Sequence, residues 1–128
     1  MITVDEAIAQ ANAILPHVAA PEGDLDLRWQ AIIGVGEFIE SDPAPVWDFV
    51  RRWARDADQD LQAALATCLL EHLLEHHFDR MFTIVQQAAR ADRSIARLVV
   101  RCWAVGVLEA QHAAVFEALK RECNAAVA

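Results

Sequence analysis

His72-Leu73-Leu74-Glu75-His76 sets two imidazoles four residues apart with a carboxylate between them. On a helix, residues i and i+4 share a face, so both rings can reach one ion through bonds of about 2.0 to 2.1 Å. The order H-x-x-E-H is also one in which zinc chemistry finds two ligands and a general base. Catalytic zinc needs a third protein ligand and an open position. The third ligand is sought downstream, where 52 residues remain after His76 and offer Glu109, His112 and Glu117 without a recognisable flanking pattern. The expectation is therefore a solvated helix face, with Glu71, His72 and Glu75 pairing weakly with their neighbours. No catalytic residue, no metal and no cofactor is expected. His77 falls on the leucine side of the same helix and is expected to be half-buried, bonded to Asp79 or to a helix-end carbonyl.

Other chemical patterns are absent from the sequence: there is no G-x-S-x-G elbow, phosphate-binding loop, dinucleotide fingerprint or C-x-x-C pair. Gly34-Val35-Gly36-Glu37-Phe38 lies inside a helical pattern, which makes its glycines packing features. The four Trp residues fall in apolar stripes and are expected mostly in the core. Cys68, Cys102 and Cys123 are widely spaced and odd in number, as expected of reduced, packed thiols.

A chain of 128 residues is one domain with one continuous core. It is 55% hydrophobic with 4 Gly, 4 Pro and no Tyr, and no stretch alternates apolar and polar residues at hairpin spacing, so the fold class is all-α. The start, MITVDEAIAQ, has neither a basic region nor an apolar run long enough for a signal peptide or a span, which predicts a cytoplasmic protein with no membrane association. The net charge is −8, and residues 1–60 carry all of it, with 12 acids against 4 bases; residues 61–128 hold 7 of each. Such a balance disfavours general nucleic-acid binding, which draws on accumulated Lys and Arg.

The chain repeats every 34 residues. Segments beginning at Asp24, Asp58 and Asp92 align, and with them Leu27, Leu61 and Ile95; Ala31, Leu65 and Val99; Gly34, Cys68 and Cys102; Val35, Leu69 and Trp103; Ile39, Leu73 and Val107. An Asp before an apolar-periodic run is a helix N-cap, and the small column marks close helix approach. A second helix aligns at shifts of 35 and 34: Val46, Met81, Val115; Trp47, Phe82, Phe116; Val50, Val85, Leu119; Ala54, Ala89, Cys123. Asp42 with Pro43 or Pro45 opens the first of these. Thr3 to Glu6 reads as a capping box for a helix of about three turns ending near Pro16. The expected architecture is a short α-solenoid of three helical hairpins, near 24–57, 58–91 and 92–126, with residues 1–23 as an N-terminal cap.

Asp24, Leu27, Arg28, Ala31, Ile32, Val35 and Gly36 resemble the first helix of a HEAT repeat, with partial matches at Asp58, Leu61, Ala66 and Leu69 and at Asp92, Ile95, Ala104 and Gly106. The similarity runs from residue 24 to about 125. It implies a fold shared by scaffolds, inhibitors and one class of DNA glycosylases, and it implies that the second helices line a concave face. There the polar positions form columns: Arg51, Gln86, Lys120; Arg52, Gln87, Arg121; Arg55, Arg90, Asn124. A ladder of cationic and amide donors without an intervening carboxylate suits carboxylates or phosphates. Arg93, Arg97 and Arg101 form a second strip, expected to pair with acids such as Glu71 and Glu75. The resulting expectation is a non-catalytic protein-interaction module, a scaffold, adaptor or immunity-type binder, using Arg51, Arg52, Arg55, Gln86, Gln87, Arg90, Lys120 and Arg121. Its alternatives are a nucleic-acid-binding or base-repair-like protein and a metal-dependent hydrolase acting through His72, Glu75 and His76.

Overall fold

The computed structural model describes residues 2–16, 26–56, 58–103 and 109–128. The protein is all-α, with no strand among the described residues. Its helices are α1 (Val4–Ile14), α2 (Leu27–Gly36), α3 (Pro43–Trp53), α4 (Gln59–Ala64), a π-helical segment (Leu65–Leu70), α5 (Glu71–Ala91), α6 (Arg93–Arg101) and α7 (Ala110–Val127). None of these is long and apolar enough to cross a membrane.

Local chemistry sets the helix starts. Thr3 and Glu6 form the reciprocal capping box: the Glu6 amide donates to the Thr3 hydroxyl at 3.2 Å and the Thr3 amide to the Glu6 carboxylate at 3.4 Å. Asp58 accepts from the amides of Asp60 and Leu61, and Asp92 from that of Ser94, as N-caps should. The first repeat departs from this register. Its cap is Asp26, which accepts from the amides of Arg28 and Trp29, while Asp24 lies outside the described residues. Leu27 thus stands at the first helical position and remains 59% exposed, whereas its equivalents Leu61 and Ile95 are buried. Asp42 precedes α3, but its carboxylate accepts from Ser41 Oγ, so Pro43 opens that helix without a side-chain cap.

α4, the π segment and the first part of α5 run on as one rod, and the Glu71 amide reaches back five residues to the Ala66 carbonyl. His77 breaks α5 with non-helical backbone, φ −137° and ψ 42°. This kink divides α5 between its two groups of buried side chains, Leu73 and Leu74 before it and Met81, Val85 and Ala89 after it. The residues before it pack by their leucines: Leu69, Leu70, Leu73 and Leu74 are completely buried.

Packing follows the chain order in two series. α1 packs on α3, α3 on α5 and α5 on α7; α2 packs on α4 and the π segment, and these on α6. Between the series lie Ile32, Val35, Val46, Val50, Val85, Val99, Phe116 and Leu119, all buried, each large aliphatic side chain contributing roughly 1.5 to 3 kcal/mol by leaving water. The N-cap aspartates also tie units together. Arg28, buried, donates to Asp58 at 2.9 Å, and Arg55 reaches Asp92 at 3.4 Å.

Besides Leu27, Gly34, Trp103 and Val115 differ from the columns. Gly34 has no neighbour within 4 Å of a hypothetical Cβ; close approach occurs at Gly36, whose added Cβ would stand 3.3 Å from Leu69 Cδ2 and 3.6 Å from the Cys68 carbonyl oxygen. Trp103 is 84% exposed, because α6 ends at Arg101 and Cys102 is extended, carrying position 103 off the helical stripe. Val115 is half-exposed while Phe116 beside it is buried, so the register of α7 puts only the second of these two columns inward. Ala104, Gly106 and Val107 lie outside the described residues.

Candidate functional site

Two sets of side chains were singled out by the sequence, and the structure treats them differently. The basic columns lie on α3, the turn after it that carries Arg55, α5 and α7, and the three helices neighbour one another in that order. Arg51, Arg52, Arg55, Gln87, Arg90 and Arg121 are exposed, and Gln86 and Lys120 half-buried. The ladder does contain carboxylates. Arg90 forms a two-pronged pair with Glu122, at 2.9 and 3.0 Å, and Arg55 pairs with Asp92. The Arg90 pair holds Glu122 below the usual carboxylate range and Arg90 above its own. Lys120 Nζ donates to the Cys102 carbonyl at 2.7 Å, closing the open end of α6. Arg52 lies over the Trp53 ring at 5.5 Å and borders a groove of about 270 Å³ with Asp5 and Asp48. Arg51, Arg52 and Arg121 have no ion-pair partner among the described residues. The strip on α6 also differs from expectation. Arg93 donates to the Val127 carbonyl, while Glu71 accepts from the Trp103 amide and Glu75 bonds to His72.

The histidines line a second groove, of about 500 Å³, between α2 with its following turn and the rod from the π segment into α5. Ile33, Gly36, Glu40, Cys68, His72 and His76 are among its walls. His72 Nδ1 is 2.9 Å from Glu75 Oε2, and His76 Nδ1 is 3.2 Å from Glu40 Oε1. The two rings are 6.5 Å apart between centroids. The ligand atoms of His72, Glu75 and His76 all lie within 4.8 Å of one another.

None of the downstream candidates enters this groove. His112 stacks on Phe78 at 4.0 Å and approaches Asp79 at 3.7 Å; Glu109 is exposed at the start of α7, and Glu117 is half-buried on α7. The added carboxylate is Glu40, from upstream, in the turn after α2. Glu40 precedes the histidines by more than thirty residues, and it reaches them because α2 packs on the π segment that leads into α5. His77 is half-buried as expected, its Nε2 donating to the Ile39 carbonyl at 2.8 Å, a residue in the turn that closes α2.

Burial, above all, raises the thiol of Cys102 well beyond the ordinary range, with the nearby Glu71 charge adding to it. Burial raises Cys68 and Cys123 as well. The three cysteines are free thiols. Comparison of the chain with models of known families, with curated proteins and with solved structures gave no match.

Proposed function

We propose that the protein is a short HEAT-like solenoid serving as an interaction module, which holds an acidic segment of a protein partner along α3, α5 and α7. The observation that carries this reading is the set Arg51, Arg52 and Arg121, exposed and without an ion-pair partner among the described residues, with Gln87 exposed on α5, the helix between α3 and α7 in the packing order. Guanidinium groups present planar forks of donors matched to carboxylates, and a neighbouring amide adapts to either polarity. The paired members Arg55, Arg90 and Lys120 have a different role: they hold the row in place through Asp92, Glu122 and the end of α6. The order in which the helices pack supports the HEAT-like part.

A protein segment fits better than nucleic acid. A duplex carries one charge per roughly 1.7 Å of axis, so it would run beyond this short patch onto a chain whose net charge is −8. A short acidic peptide ends where the patch ends. We place the protein in the reducing cytoplasm, a setting suited to three free thiols.

The test uses a fluorescent Glu/Asp-rich peptide of about 12 residues and a DNA duplex of similar length, titrated at several salt concentrations. The reading expects peptide binding that falls on the order of ten-fold in an Arg51→Glu/Arg52→Glu/Arg121→Glu variant of unchanged helicity, since exposed charges contribute little to folding. Equal binding by wild type and variant would remove the face from the account. DNA binding stronger than peptide binding, with log affinity falling linearly in log salt, would favour the nucleic-acid alternative.

A further inference from the structure

From the His72, Glu75 and His76 cluster and its contact with Glu40 we infer a binding site for one divalent transition-metal ion, held by His72, Glu75 and His76 and oriented by Glu40. This goes beyond the interaction role and is independent of it. The absence of metal expected from the sequence rested on a missing third ligand; in the structure Glu75 converges with both histidines, and Glu40, from the turn after α2, bonds to one of them.

Spacing comes first. Neighbouring ligands of a tetrahedral ion with bonds of 2.0 to 2.1 Å stand roughly 3.3 Å apart. His72 Nδ1 and Glu75 Oε2, at 2.9 Å, are already closer than that, so an ion beside the pair can bond to both once the hydrogen between them is released to solvent. The set as a whole lies within 4.8 Å, and the rings, 6.5 Å between centroids, need to move about 1 Å together, which rotation of two half-exposed side chains provides.

A carboxylate also stands behind one of the rings. A ligating imidazole usually gives its other ring nitrogen to a carboxylate, which fixes the ring and raises its basicity. Glu40 stands in that position, 3.2 Å from His76 Nδ1, leaving Nε2 for the ion.

A separate bond fixes the turn that carries Glu40. His77, next to His76, donates to the carbonyl of Ile39, next to Glu40, at 2.8 Å. Residues 39–40 and 76–77 are therefore locked side by side by a bond to which neither His76 nor Glu40 contributes. Gly36 permits this approach, since a Cβ there would press on Leu69. The helix breaks at His77, so His76 stands in a last turn, where the negative end of the helix dipole favours a cation.

Two imidazoles and a carboxylate suit zinc(II), nickel(II), cobalt(II) or copper(II), not calcium or magnesium, which take oxygen ligands. With three protein ligands in an open groove, the fourth position falls to water or to a donor from a partner. Glu75 acts here as ligand, and Cys68, although on the groove wall, lies outside the cluster.

The probe is zinc(II), added to untagged, chelator-stripped protein, with bound metal measured by equilibrium dialysis and elemental analysis, and cobalt(II) as a spectroscopic substitute. Wild type should saturate at one zinc per chain. His72→Gln, His76→Gln and Glu75→Gln, which preserve bulk, should each weaken binding by at least about ten-fold, and Glu40→Gln by about ten-fold because the His76 ring loses the carboxylate that orients it. Glu37→Gln and Cys68→Ser should bind within about two-fold of wild type, and cobalt should show no sulfur charge-transfer band. Zinc should raise the melting temperature of wild type and not of His76→Gln, because only the folded chain assembles the ligands. Absence of saturable binding in wild type, or stoichiometry unchanged in both histidine variants, overturns the site. Zinc affinity unchanged in Glu40→Gln overturns the part given to Glu40, and a sulfur band lost in Cys68→Ser overturns the ligand set.

Discussion

Two glycines of α2, two residues apart, should answer differently to the same substitution. Gly34→Ala adds a methyl group where nothing lies within 4 Å, inside the helix Leu27–Gly36. Its effect is that of helix propensity and a stiffer unfolded chain, about 0.5 to 1 kcal/mol of added stability. In a chain of this size that raises the melting temperature by roughly 2 to 4 °C. Gly36→Ala has the same propensity gain at most, and adds a Cβ 3.3 Å from Leu69 Cδ2, 3.6 Å from the Cys68 oxygen and 3.8 Å from Ile39 Cδ1. Leu69 is completely buried, so moving it by a few tenths of an ångström presses on close-packed neighbours. Overpacking of that kind costs about 1 to 3 kcal/mol, which leaves Gly36→Ala below Gly34→Ala by about the same amount. Urea unfolding followed by helical circular dichroism, with a common slope for the three proteins, measures the difference. Gly36→Ala equal to or more stable than Gly34→Ala would mean that α2 does not meet the π segment at Gly36, and the placement of Glu40 against His76 would lose its support.

Arg28→Met should cost roughly 1 to 3 kcal/mol in the same assay, because it strands Asp58 beside a buried position, with the loss moderated by the solvent that still reaches that carboxylate. Acid should weaken the fold through the caps. The Leu61 amide bond, opposed by burial and helped by Arg28, holds Asp58 low; at Asp92 burial pushes upward but the Ser94 bond and Arg55 prevail. Both folded values lie below the ordinary 3.8, so their contribution is fully present above that value and disappears as pH falls through the lowered ones. An Asp58→Asn/Asp92→Asn variant should therefore lose less stability than wild type between pH 5 and pH 2, and parallel losses would contradict the assignment. Burial of Cys102, and its raised thiol, predicts that a thiol reagent at neutral pH modifies it at least about ten-fold more slowly in native protein than in urea, which a time course with peptide mapping will read.

What the sequence made legible was the body of each helix more than its ends. The pattern Val50, Val85, Leu119 and Ala54, Ala89, Cys123 is buried throughout, since apolar spacing states which side faces inward. Starts depend on which carboxylate captures the first amides, and Asp24 and Asp26 both precede the apolar run; Asp26 does so in the structure, two residues later than the period implies. Trp103 failed because repeat alignment assumes that α6 continues as its equivalents do, and it stops at Arg101. The His72–Glu75 contact was readable from one helix face. The Glu40–His76 contact was not, because a side chain in a turn has no periodicity, and its position follows from Gly36, Leu69 and the His77–Ile39 bond together. In the basic columns, spacing identified the cations, while their partners lie far along the chain, Glu122 for Arg90 and Asp92 for Arg55, where no local periodicity points.

The interaction role rests most directly on what touches Gln87. A photo-crosslinking residue placed at Gln87, and in a second protein at Glu37 on the histidine groove, can be irradiated in the cells that naturally make the protein. The account predicts a discrete crosslinked partner from position 87 that is lost when Arg51, Arg52 and Arg121 are reversed to Glu, with the crosslink mapping to an acidic stretch of that partner. Crosslinks from position 87 that are nonspecific or unchanged by the reversal, with a discrete partner captured only from position 37, would contradict it.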